Sequence, residues 1–123
     1  MGTNETDGER SYMTLKQGDI IKFNFDPALG HEQAGYRPAV VISREMFNSR
    51  TRHAVVCPVT QTNRAYPTRV SLGTAGEIKG YVMCDQIKTI DITARKPVFI
   101  ERADENILDK ILVIVDSIIQ KDF

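Results

Sequence analysis

The sequence has no tryptophan, only two cysteines and two histidines, and no net charge, with sixteen Lys and Arg against sixteen Asp and Glu. Each shortage excludes something. Cys57 and Cys84 lie in separate apolar segments, with no Cys-x-x-Cys and no Cys–His cluster. That argues for two buried thiols in a cytosolic protein rather than a disulfide framework or a zinc ribbon. His31 and His53 sit in unrelated segments, and the carboxylates do not bunch as they do in two-metal nucleases, so neither metal nor other cofactor is expected. No stretch approaches the roughly 20 apolar residues that span a bilayer, so no membrane partner is expected. There is no Gly-x-x-x-x-Gly-Lys-Ser/Thr phosphate loop and no Gly-x-Ser-x-Gly elbow. Cys57 is a poor nucleophile candidate, because apolar burial raises a thiol pKa.

The charge that is present is unevenly placed. Met1 to Gly35 holds three basic and six acidic side chains. Tyr36 to Gly76 holds six basic residues (Arg37, Arg44, Arg50, Arg52, Arg64, Arg69) against Glu45 alone. All six are arginine, whose guanidinium grips phosphate through two parallel hydrogen bonds. A local basic surface on a neutral chain suits an anionic partner chosen by shape. The plain alternative is six solvated arginines scattered over the surface.

The 123 residues are enough for one core but not comfortably for two. Residues 1–13 are polar and without periodicity, which reads as a flexible leader or an expression remnant; residues 14–123 form the single domain. Gly18 to Phe25 alternates, with Ile21, Phe23 and Phe25 on one side, as a half-buried strand does. Further strands are expected at Arg37–Ser43, His53–Val59, Thr68–Leu72, Gly80–Cys84 and Pro97–Glu101, and a helical turn within Arg44–Thr51. Asp85 to Arg95 has no clean period. Asp104 can cap a C-terminal helix, in which Ile107, Leu108, Ile111, Leu112, Val115, Ile118 and Ile119 recur at helical spacing. Val113 and Ile114 widen that apolar face beyond one packing surface. The expected fold is mainly β with a C-terminal α-helix, a small twisted barrel or sheet with the helix packed on it.

Three segments can carry chemistry. The first is Gly30-His31-Glu32-Gln33-Ala34-Gly35-Tyr36-Arg37-Pro38, which gathers an imidazole, a carboxylate, an amide and a guanidinium between glycines. Cleavage of a phosphodiester by its own 2′-hydroxyl needs a base, a cation for the charge growing on the phosphorus oxygens, and an acid for the leaving 5′-oxygen. Either Glu32 or His31 suits the base, and Arg37 the cation. The second segment is Cys57-Pro58-Val59-Thr60-Gln61-Thr62, where Thr60 can donate to a phosphate oxygen or serve turn chemistry. The third is Met83-Cys84-Asp85-Gln86, where Asp85 can equally cap a helical turn. Tyr36, Tyr66 and Tyr81 are candidate stacking platforms for bases.

These segments, with Gly18-Asp19-Ile20, Phe25-Asp26-Pro27, Pro58-Val59-Thr60 and Asp85-Gln86-Ile87-Lys88-Thr89-Ile90-Asp91, resemble the MazF/PemK/Kid toxin signature in order and spacing, over about Leu15 to Gln120. The resemblance implies a homodimeric SH3-like barrel of the plasmid-maintenance-toxin type. It implies sequence-specific, metal-free cleavage of single-stranded RNA to a 2′,3′-cyclic phosphate and a 5′-hydroxyl. It also implies neutralisation by a cognate antitoxin. By position it makes Arg37 the core catalytic residue, Thr60 the contact to the scissile phosphate, and Glu32 a proton-transfer residue. It implicates His31 and Asp85. Gln33, Gly35, Tyr36, Gln61, Tyr66 and Gln86 are further expected RNA contacts. The plasmid-borne branch has an arginine proposed as acid two residues before its aspartate; here that position is Met83, which favours Arg37 with Thr60. Two other readings compete. A CcdB-type gyrase poison acts through a Trp-Gly-Ile ending, whereas this chain ends Gln-Lys-Asp-Phe. A gyrase poison also leaves the first motif unexplained. The third reading is a non-catalytic SH3-like binding module or a degraded toxin, and the retained Arg37 and Thr60 count against degradation.

Overall fold

One strand, β3 (His53–Thr60), organises the computed structural model, which describes residues 14–26, 35–62 and 66–123. The proposed leader therefore lies outside the described residues. β3 carries β2 (Tyr36–Val41) along one edge and β5 (Tyr81–Met83) followed by β6 (Lys88–Asp91) along the other, all antiparallel. β1 (Asp19–Asn24) continues from β2, and β7 (Val98–Arg102) from β1; β4 (Arg69–Ser71) borders β5. The resulting order is β4-β5-β3-β2-β1-β7, with β6 also on β3. Among the described residues β4 and β7 do not pair, so the sheet curls without closing.

Strict alternation sends side chains to two apolar clusters. Ile20, Val40, Cys57, Val59, Val70 and Val82 share one with Ile111 and Val115. These last two belong to the long C-terminal helix, α3 (Glu105–Ile119), which lies across that face. Ile21, Phe23, Ala39, Val41, Ala54, Val56 and Ile90 form the other, closed by Leu15 and Ile92. Burial of so many branched side chains on both faces is the main stabilising term, at about 25 cal/mol per Å² of apolar surface.

The six expected strands and the C-terminal helix are present. Asp104 caps α3, accepting a hydrogen bond from the Asn106 N–H at 3.3 Å. The helical turn is α1 (Glu45–Thr51), pinned by buried Asn48, whose Nδ2 donates to the Leu15 carbonyl at 3.0 Å. The aperiodic segment proves to be β6 followed by a single turn, α2 (Ile92–Arg95). β6 has one buried residue, Ile90, so it carries no periodic signal and exists because β3 offers it a partner. The alternative role for Asp85 as a cap falls to Asp91 instead, which accepts from the Ala94 N–H at 3.0 Å.

Candidate active site

Arg37 and Thr60 are 23 residues apart in sequence, yet the sheet sets them side by side. β2 and β3 pair Ala39 with Pro58 and Val41 with Val56. Carrying that register two residues on puts Arg37 opposite Thr60, where cross-strand Cβ atoms lie about 5 Å apart. Arg37 faces Phe23 on its other side, and Thr60 faces Tyr81. Ser71 stands opposite Tyr81. One row of side chains thus runs Phe23, Arg37, Thr60, Tyr81, Ser71 across five strands, alternating with Val40, Val59 and Val82 of the helix-covered cluster. Arg37 is exposed at the end of its strand, and Thr60 is buried to 7% exposure.

Thr60 is held by its own turn. Its Oγ1 accepts a hydrogen bond from the Thr62 N–H at 3.2 Å, which leaves the hydroxyl proton available to an anion. Both sequence readings of Thr60, turn chemistry and phosphate donor, are therefore compatible in one side chain. Gln61 is fixed beside it, with Nε2 donating to the Lys79 carbonyl at 2.8 Å.

The glycine-flanked loop is rooted next to Arg37. Phe25 N–H donates to the Gly35 carbonyl at 2.9 Å, and Gly35 N–H donates to Asp26 Oδ1 at 3.0 Å. Gly35 has a φ of 80°, the left-handed conformation that the glycine signal suggested. Arg95, which sequence reasoning passed over, holds the root from below. Its Nη1 donates to the Asn24 carbonyl at 2.9 Å and also to that of Asp26. His31, Glu32 and Gln33 lie outside the described residues.

The other expected site residues are dispersed. Tyr36 is 60% exposed but alternates to the opposite face from Arg37, where Lys22 Nζ lies 5.9 Å from its ring centre. Thr60 meets β5 at its first residue, whereas Asp85 and Gln86 follow its last, in a turn closed by Gln86 N–H on the Met83 carbonyl at 3.1 Å. Tyr66 is exposed and stacks with Arg69, whose guanidinium carbon lies 4.9 Å from the ring centre.

The basic surface expected from the middle third divides in two. Arg44, Arg50 and Arg52 flank or end α1, which feeds the His53 end of β3. Arg37 and Arg69 belong to the Thr60 end, roughly 23 Å away at about 3.3 Å per residue. Arg64 lies outside the described residues. Both cysteines are buried in the helix-covered cluster and unpaired. Burial, with the Asp85 charge adding to it, pushes Cys57 up to about 12 and Cys84 up to about 11. Neither thiol is a nucleophile near neutral pH. Among the described residues no three His, Cys, Asp or Glu side chains converge as metal ligands.

Residues 16–119 match the family model of the PemK-like, MazF-like toxins of type II toxin–antitoxin systems. The chain belongs to this family. It is 39% identical to Endoribonuclease PemK of Escherichia coli over 102 residues, covering 80% of this chain and 77% of that one. Its fold is similar to crystalline MazF of Deinococcus radiodurans, with a TM-score of 0.83 at 30% identity, covering 88% and 98% of the two chains. A MazE–MazF crystal structure from the same organism matches with a TM-score of 0.79 at 27% identity, covering 89% and 99%. Within this PemK/MazF-family chain, the cross-strand row joins two motifs that the sequence carries separately, Gly-Tyr-Arg-Pro and Pro-Val-Thr.

Proposed function

We propose that this PemK/MazF-family chain is a sequence-specific endoribonuclease that cuts single-stranded RNA without a metal ion. The observation that carries the reading is the β2–β3 register, which, carried two residues past the Ala39–Pro58 pair, sets Arg37 opposite Thr60 at the root of the glycine-flanked loop. A phosphate bound across that pair meets a guanidinium and a hydroxyl donor at once. The 2′-oxygen attacks phosphorus while a base removes its proton, the bond to the 5′-oxygen breaks, and that oxygen takes up a proton. The products are a 2′,3′-cyclic phosphate and a 5′-hydroxyl. Arg37 stabilises the charge on the non-bridging oxygens, and Thr60 holds the phosphate so that attack and departure are in line. Glu32 is the proposed base, and His31, Gln33, Gly35, Tyr36, Gln61, Tyr66, Asp85 and Gln86 the proposed RNA contacts. Duplex geometry prevents in-line alignment, which accounts for single-strand preference.

The proposed protein partner is a cognate antitoxin, by analogy with the MazE–MazF complexes. A second copy of the chain is the other proposed partner. Val113, Ile118 and Ile119 on α3 are 69%, 47% and 66% exposed, more apolar surface than the helix needs for its own core. Sedimentation of the chain alone checks this, with a dimer mass expected.

The test is cleavage of a long single-stranded RNA in excess EDTA, wild type beside Arg37→Ala, with 5′-end mapping. Cuts at one short motif, reduced about 100- to 1,000-fold in Arg37→Ala, are expected. An oligonucleotide with a 2′-deoxy sugar at the cut step should bind and stay intact. Its cleavage would remove the cyclic-phosphate route. Absence of any cutting by folded wild-type chain would sink the ribonuclease reading, and trapped gyrase–DNA breaks would then be sought.

A further inference from the structure

Arg69 has a placement that its sequence context does not announce. It begins β4, opposite Met83 of β5. Alternation puts it on the same face as Ser71, Tyr81 and Thr60, one step along β4 from the catalytic row. Three contacts fix its guanidinium. Nη1 donates to the Thr62 carbonyl at 3.1 Å, Nη2 lies 3.8 Å from the Met83 sulfur, and the guanidinium carbon lies over the Tyr66 ring, 4.9 Å from its centre. Thr62 is the residue whose N–H also binds the Thr60 hydroxyl. One short segment therefore positions both Thr60 and Arg69.

Among the described residues no carboxylate pairs with Arg69, in contrast to Arg102, which lies 2.9 Å from Asp19. A guanidinium has five N–H donors, and these contacts occupy one on each terminal nitrogen. A half-buried, aromatic-stacked cation with donors to spare and a fixed orientation is prepared for an outside anion.

We infer that Arg69 is an RNA-binding residue, contacting a phosphate that flanks the scissile one and so setting substrate affinity rather than the chemical step. This rests on the ribonuclease reading above. β4 lies two strands from β3, about 10 Å at about 4.8 Å per strand, a span that a neighbouring nucleotide covers. Arg37 and Thr60 then act on the reacting phosphate, and Arg69 holds the strand that presents it. The Met83 sulfur offers no competing charge, so the guanidinium remains available to RNA.

The experiment uses a synthetic RNA spanning a cut site mapped with the wild-type chain, and the same oligonucleotide with a 2′-deoxy sugar at that step. Arg69→Ala and Arg69→Gln should raise KM, and the Kd of the uncuttable oligonucleotide, about tenfold, with kcat within about threefold of wild type. The slope of log Kd against log salt should shrink by about 0.7, the value for one phosphate contact on a single strand. Arg69→Lys should restore the slope and part of the affinity. Arg69→Gln keeps a donor for the Thr62 carbonyl and guards against a folding defect. An unchanged Kd and slope in folded Arg69→Gln, with wild type cutting normally, would overturn this assignment and leave the ribonuclease reading intact. A kcat loss as large as that of Arg37→Ala would overturn it too, placing Arg69 in the chemistry. Failure of wild type to cut any RNA would remove both.

Discussion

A Cβ placed on Gly80 would stand 2.5 Å from the carbonyl oxygen of Thr60. Gly80 also has a φ of 121°, a conformation that side chains avoid. The residue that precedes β5 thus lets the chain pass close behind Thr60. Gly80→Ala should cost about 3 kcal/mol, because neither the backbone angle nor the carbonyl can yield cheaply. Urea unfolding measures the cost, and a loss under about 0.5 kcal/mol would mean that this turn relaxes. RNA cleavage by the folded fraction should fall as well, since any relief moves Thr60.

Thr60→Val keeps the shape of a buried side chain and removes its hydroxyl. The Thr62 N–H loses its acceptor, which should cost about 1 kcal/mol in stability. RNA cleavage should fall by about 100-fold while Thr60→Ser retains most activity. Equal activity in Thr60→Val and wild type would confine Thr60 to its turn.

Glu101 on β7 accepts from the backbone N–H groups of Glu77 and Ile78 at 2.9 and 2.8 Å, and Gly76 leaves room for its carboxylate. Those bonds hold its pKa below the usual carboxylate value. A folded pKa that is depressed gives stability present above the unfolded value of about 4.3 and lost as pH falls through the folded one. Glu101→Gln should therefore narrow the stability difference between about pH 6 and about pH 3. Buried Asp19 works in the opposite sense. Desolvation outweighs its bonds to Lys16 and Arg102 and raises its pKa, so its contribution improves as it takes up a proton. Urea titrations at several pH values, wild type against Glu101→Gln, isolate the first effect. An unchanged difference would show that the loop from Gly76 to Ile78 is held by other contacts.

Cys57 and Cys84 should resist thiol reagents in the folded state at neutral pH. Both are fully buried, and their pKa values stand at about 12 and about 11. Labelling with a maleimide should follow unfolding in urea rather than precede it. Fast labelling of the native chain would mean that the cluster beneath α3 opens locally.

The sequence by itself determined the strands whose two faces differ in polarity. Ile21, Phe23 and Phe25 alternate with Lys22 and Asn24, and that period is visible without any partner. It determined α3 as well, through Asp104 and the recurrence of Leu108, Ile111 and Val115. It also marked Gly35 and Thr60 by residue type, since glycine permits a positive φ and threonine accepts from the chain two residues on. What it could not carry is register. Only the pairing of β2 with β3 makes Arg37 and Thr60 neighbours, and only alternation in the folded sheet turns Tyr36 away from them. β6 arises from the open edge of β3 rather than from its own four residues. Arg69 shows the same limit most plainly. Its sequence gives a cation, while Thr62 and Tyr66 of the β3–β4 connection and Met83 of β5 give that cation a place. Local preferences are written along the chain, but a site made across strands depends on which strands pair and in what register, and the packing of both sheet faces decides that.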